Sequence, residues 1–313
     1  MPIIGSFGAG AGRGFGQRGG GGSTPFVEAT GGTITTCGNY TIHTFTGPGT
    51  FCVSKLACCA ADNEISYVVV AGGGGGGSSQ GGGGGAGGFR EGKSTVDCFT
   101  ASPLVNTGGI TLSCVGGIPV TVGGGGTGWN PTNRAGQRGT DSIFSSITST
   151  GGGGGGGGNP PPTSSGQPGG SGGGGGGVLN TGGGSGNTPP VSPPQGENGS
   201  PAGAPNAARG GGGGATQAGA PSPGPSFTSG AGGDGANTEF NPSTCVGTPG
   251  PAPGRWFAGG AASCDSGTNG GYGGGAQSVP NPCTAGQVNT GGGGRSGDYG
   301  GSGIVMIRYK TGA

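Results

Sequence analysis

Charge is nearly missing from this chain. Only 7% of its 313 residues are Asp, Glu, Lys or Arg, and the formal net charge is +1. Without a basic stripe to track phosphates, nucleic acid is not an expected partner. Arg18-Gly19-Gly20 and Arg209-Gly210-Gly211 match RNA-binding units, but isolated copies arise by chance in a chain so rich in glycine. Histidine is scarcer still. His43, in a strand context, is the only one, which leaves Ser-His-Asp or histidine-zinc chemistry little to stand on. Cys58-Cys59 lacks metal-ligand spacing, and there is no CxxC pair. The close carboxylate pairs, Asp62/Glu64 and Asp234/Glu239, sit in loop contexts that suit solvated acids better than acid–base catalysis. No apolar run approaches the ~18 residues of a membrane span, and the opening MPIIGSFGAGAGRGFG lacks the ~7–15-residue apolar core of a secretory leader. The expectations are no catalytic residue, no metal, no cofactor and no membrane insertion.

What the chain has is glycine, 96 residues of it. Collagen needs glycine strictly at every third position, and unbroken runs such as 72–77, 81–85, 151–158, 172–177 and 210–214 exclude that register. The composition also meets low-complexity criteria. If the runs are ordered, something must offset their large conformational entropy. Burial cannot, since glycine has no side chain to bury. Backbone hydrogen bonding can. In the left-handed extended helix with three residues per turn, N–H and C=O groups point sideways and none is used internally. Neighbours without Cβ atoms then approach closely and pair in several directions, so buried backbone groups are satisfied. The 25 prolines suit the links between runs, where φ is already right and no donor is needed.

Ordinary β structure is expected in a few places. Residues 33–37 and 40–45 alternate β-formers around Gly38-Asn39, the turn 46–49 leads into 50–55, and 65–70 ends in the run SYVVVA. These read as an antiparallel cap over 25–72. A second β insertion is expected at about 94–122, from 94–99, 110–115 and 119–122. Trp129 and 143–147 are islands of apolar anchoring. A closing strand lies in 301–313, with 304–309 paired to 67–70 or its neighbours. The glycine-rich body then covers 73–300, and residues 1–24 form a docking or assembly arm. The fold class is all-β, a polyglycine-II helix sandwich with a small antiparallel β cap and no α-helix of note.

Nine cysteines suit an oxidising setting. Cys98 and Cys114 are equidistant from Asn106, so a hairpin folded there makes them a candidate disulfide. Cys245, Cys264 and Cys283 fall in later loops, with at least one further bridge expected among them. A glycine body presents almost no side chains, so recognition must come from the loops that interrupt it. The aromatics outside the strands are Trp129, Phe227, Phe240, Trp256, Phe257, Tyr272 and Tyr299. The candidate contact residues are Arg255, Trp256 and Phe257, with Tyr272 and Trp129.

Three stretches together resemble glycine-rich domains of bacteriophage tail-fibre and related structural proteins. They are TIHTFTGPGTFCV (41–53), SYVVVAGGGGGG with GGFREG (66–77 and 87–92), and GGSGIVMIRYK (300–310); the opening residues are similar too. The resemblance implies a polyglycine-helix sandwich of the kind found in phage receptor-binding adhesins, whose loops at one end contact the host surface. Two readings follow. One is a virion fibre or tip protein binding a cell-surface receptor or glycan, alone or with other virion proteins. The other is a subunit of a self-assembling extracellular filament. Either places the chain in a virion or outside the cell.

Overall fold

A computed structural model describes residues 25–78, 80–129, 132, 134–158, 164–177, 181–203, 208–223, 229–242, 246–263, 268–277 and 285–312. The expected arm 1–24, Phe227, Cys245, Cys264 and Cys283 lie outside these residues. The strands are β1 (Glu28–Thr30), β2 (Thr33–Cys37), β3 (Tyr40–Phe45), β4 (Gly49–Lys55), β5 (Glu64–Val70), β6 (Phe89–Lys93), β7 (Val105–Thr107), β8 (Ile110–Thr111), β9 (Gly116–Thr121), β10 (Ser142–Phe144), β11 (Ile147–Ser149), β12 (Ala236–Thr238), β13 (Arg255–Phe257) and β14 (Ile304–Lys310). The one helical turn among the described residues is 3₁₀, Ala60–Asn63. The fold is all-β.

Most strands form a sandwich of two sheets. One has the order β1-β4-β9-β10-β11, the other β2-β3-β14-β5-β6-β7, with β8 also paired to β5. The closing strand does pair with the YVVV run: Ile304 faces Val70, Met306 faces Val68 and Ile307 faces Tyr67. It slots between β5 and β3, where Val305 faces Phe45. Both strands are apolar on both faces because both faces are covered. Tyr67, Val69, Val305 and Ile307 pack against Phe51, Val53, Val120 and Phe144 of the other sheet. Val68, Val70, Ile304 and Met306 pack against Phe89, Phe99, Phe240 and Phe257. Cap, insertion and closing strand are therefore one sandwich.

Two expectations fail here. Residues 94–99 are a turn, not a strand. Their short polar side chains offer the backbone competing partners: Ser94 Oγ donates to Glu64, Ser66 Oγ donates to Asp97, and Cys98 N–H donates to Asp97. Nor does a hairpin form at Asn106. β7 runs parallel to β6, whereas β8 joins β5. Cys98 and Cys114 consequently do not face one another across a ladder, and both thiols are free and exposed.

The sheets hand over to glycine at residue 71. Along 71–78 the backbone donors turn to three neighbours in rotation, at 2.8–3.1 Å. Gly72, Gly75 and Ser78 donate to Thr140, Gln137 and Arg134. Gly73 and Gly76 donate to Gly301 and Asp298, and Gly74 and Gly77 to Gly85 and Gly82. The carbonyls rotate likewise among three further neighbours: those of Gly72 and Gly75 accept from Gly152 and Gly155, that of Gly73 from Gly126, and those of Gly74 and Gly77 from Gly294 and Gly297. Six chain segments thus surround this one. Residues 81–88 are also surrounded, donating to 150–156, 210–213 and 291–294 and accepting from 71–77, 171–174 and 261.

Such packing leaves no room for a methyl group. A Cβ on Gly74 would lie 2.2 Å from the Gly153 oxygen, and one on Gly85 2.4 Å from that of Ser171. Side chains return where the runs reach the sandwich. Ala86, Ala215 and Ala258 are wholly buried there and belong to the same apolar cluster as Phe89 and Phe257.

Candidate functional site

β12 and β13 form a short hairpin on the glycine-body side of the sandwich, with Asn237 opposite Trp256. Thr248 and Trp256 exchange backbone hydrogen bonds at 2.9 and 3.0 Å, adding a third extended segment. Gly247 (φ +71) and Gly254 (φ +94) adopt the left-handed conformations that let the connection fold back. The connection crosses the indole closely: a Cβ on Gly250 would lie 2.3 Å from Trp256 Nε1. Among the described residues that nitrogen has no acceptor.

The candidate contact residues take different places. Trp256 and Tyr272 meet, ring centroids 5.5 Å apart and planes tilted by 49°. Tyr272 is held from behind. Its N–H donates to Asp234 Oδ1 and its carbonyl accepts from Gly235, and the residue is 45% exposed. Arg255 turns back on its own connection, donating from Nε to the Val246 carbonyl and from Nη2 to that of Gly247. Phe257 is a core residue, 1% exposed, as is Phe240; these two are plugs rather than contacts. Each contributes about 2 kcal/mol of burial. Trp129 lies apart from the pair, exposed, with Gly297 as its neighbour. The surface to weigh is therefore the Trp256–Tyr272 pair, with Asn237 at its side, tied by its Nδ2 to the Pro253 carbonyl. A half-buried indole on a braced hairpin, backed against the exposed Tyr272 ring, offers flat contact area at low entropic cost.

The polar groups that hold this hairpin were not legible as a set. Glu91 is 1% exposed, accepts from Ser102 N–H at 2.7 Å and from Thr238 Oγ1 at 2.6 Å, and so ties β12 to β6. Burial pushes its carboxyl above the usual range. Arg308 is buried beside Asp97 (3.0 Å), donates to the Phe240 carbonyl and lies over the Tyr40 ring. On the far side of the sheet, His43 is wholly buried between the Gly31 carbonyl, at 2.7 Å, and the Tyr309 hydroxyl, at 2.9 Å. Desolvation lowers its pKa and raises that of Tyr309 to about 12. All three stand among groups they bind. No cluster of three His, Cys, Asp or Glu side chains is placed to hold a metal among the described residues.

An all-β sandwich continued by hydrogen-bonded glycine segments defines the class. The chain belongs to the glycine-rich domain family, whose profile matches residues 46–310. The match takes in all the strands from β4 onward and all of the glycine body. No curated protein matches the chain significantly.

Proposed function

We propose that the chain is a non-catalytic structural protein of a fibre, most concretely a phage-type tail-fibre or tip component. In this reading the glycine segments are polyglycine-II helices, bundled into a rigid body that displays connecting loops to a host surface. The observation that carries it is the rotation of hydrogen bonds along 71–78, where every third residue returns to the same neighbour. Three residues per turn is the repeat of that helix. A body built this way spends its backbone internally and offers few side chains, so contact with a receptor or glycan falls to features such as the Trp256–Tyr272 pair.

The filament reading has an observation of its own. Gly182 is exposed, and only the Ser165 hydroxyl comes within 4 Å of where a Cβ would stand, so a further segment has room to lie against it while its own N–H and C=O stay bonded to Ser165 and Gly166. One experiment addresses both. Purified protein is imaged by negative stain, and parent and Trp256→Ala are compared for attachment to host cells. Discrete particles whose attachment is lost in the variant support the tip; open-ended fibres favour the filament. Parent-like attachment by a folded Trp256→Ala removes this pair as the working surface.

A further inference from the structure

The sandwich has one edge that carries none of the usual protection against pairing. Natural sheets shield their edges with charge, proline, bulges or very short strands. β1 does so: it has three residues, a register shift between Glu28 and Ala29, and a Glu28–Lys55 ion pair at its rim. β7 is also only three residues long. β2 differs. It has five residues, Thr-Ile-Thr-Thr-Cys, without charge or proline, and its register with β3 runs unbroken. Four of the five are β-branched, and Ile34 is 48% exposed.

The hairpin fixes which backbone groups face outward. β2 and β3 are joined by the two-residue turn Gly38-Asn39, with φ +57 at Gly38, so Cys37 and Tyr40 close the ladder. Hydrogen-bonded pairs alternate from there. Cys37, Thr35 and Thr33 turn their N–H and C=O groups to β3, while Ile34 and Thr36 turn theirs away from the sheet. Among the described residues these outward groups have no partner.

We propose that β2 pairs antiparallel with β2 of a second copy of this chain, about a two-fold axis through Thr35. The strand is complementary to itself in that register. Ile34 of one copy comes opposite Thr36 of the other, their outward groups exchange hydrogen bonds, and Thr35 faces Thr35. Threonine pairs are favourable across an antiparallel ladder. No charge on either strand opposes the approach, and the two exposed Ile34 side chains become diagonal neighbours on one face. The second sheet of each sandwich thereby runs on through the axis into that of its mate. This interface depends neither on host attachment nor on filament growth, since a two-fold contact closes on itself.

Sedimentation velocity of the full-length protein over a concentration series tests it, with amide hydrogen exchange read at Ile34 and Thr36. The parent is expected to show a reversible monomer–dimer equilibrium, and both amides should slow as the dimer forms. Thr36→Pro deletes one outward donor per copy, two per dimer, and should weaken association about tenfold or more. Ile34→Lys, which leaves the backbone intact, should do the same by placing like charges together. Unchanged near-ultraviolet circular dichroism certifies each variant as folded. A parent that stays monomeric throughout overturns the proposal. So does dimerisation of parent strength in a folded Ile34→Lys. Slow exchange at both amides in dilute monomer also overturns it, because the edge is then occupied within the chain, with residues 1–24 the segment to delete next.

Discussion

Replacing Gly154 by alanine adds one carbon to the protein, and the packing says that this carbon has nowhere to go. Its position is 2.0 Å from the Gly136 oxygen and 2.5 Å from the Gly136 carbonyl carbon. Ordinary contact begins at 3.4 Å, so segment 134–140 must retreat by about 1.4 Å, from 2.0 to 3.4. That segment is fastened on two sides. Gly136 and Gly139 donate to Gly155 and Gly152, and Thr140 and Gln137 accept from Gly72 and Gly75. Losing two or three of these bonds costs about 1 kcal/mol each. Residual overpacking adds about 1–3 kcal/mol, and the stiffer unfolded chain returns about 0.4–1 kcal/mol. The expected net loss is about 2–6 kcal/mol, which for a chain of 313 residues is a depression of Tm by about 3–9 °C. Gly182→Ala and Gly124→Ala are the controls. A Cβ there meets only a side-chain hydroxyl, at 3.7 and 3.9 Å, so Tm should hold or rise slightly. Thermal denaturation followed by circular dichroism decides. Melting of Gly154→Ala with the parent, or a common fall in all three variants, would mean that close packing at Gly154 does not limit stability.

Three further outcomes are expected. Asp97→Ala strands the Arg308 guanidinium in the core and should cost about 3–5 kcal/mol by urea denaturation. His43 is held neutral in the fold by burial, its pKa below the ordinary 6.5. Between that lowered value and 6.5 the unfolded chain binds the extra proton, so stability should fall as pH drops below about 6.5. His43→Gln should flatten the difference between denaturation at about pH 7.5 and about pH 5.5. Alkylation without reductant should label both Cys98 and Cys114, since each thiol is free and exposed; protection of the pair would restore the disulfide.

The sheet core was legible because its strands advertise themselves. Val68, Val69 and Val70 on one side and Ile304 to Ile307 on the other are β-branched or apolar islands in glycine, and they had no better partners than each other. Misreadings came where that contrast fades. Phe240 and Phe257 looked like loop aromatics, because two or three strand residues between glycines carry no periodicity to mark an inward face. Only the apolar cluster around Met306 and Val68 shows that they are plugs. The symmetric spacing of Cys98 and Cys114 about Asn106 suggested a hairpin, yet spacing alone does not say which strand a segment joins. The buried ties of Glu91 to Thr238, and of Asp97 to Arg308, span gaps of 147 and 211 residues, beyond any local pattern.

The rotation of donors along 71–78 sets a rule for how such a chain can change length. Insert one glycine after Gly74 and every later N–H swings by a third of a turn, away from the carbonyl it met before. Gly75 would then address the neighbour meant for Gly76. Insert three and each group faces its own neighbour again, three residues further along it. Drift in these runs is therefore expected to be tolerated in steps of three. It should also be matched among adjoining segments, so that the bundle grows or shrinks by whole layers while the sandwich beneath it stays as it is.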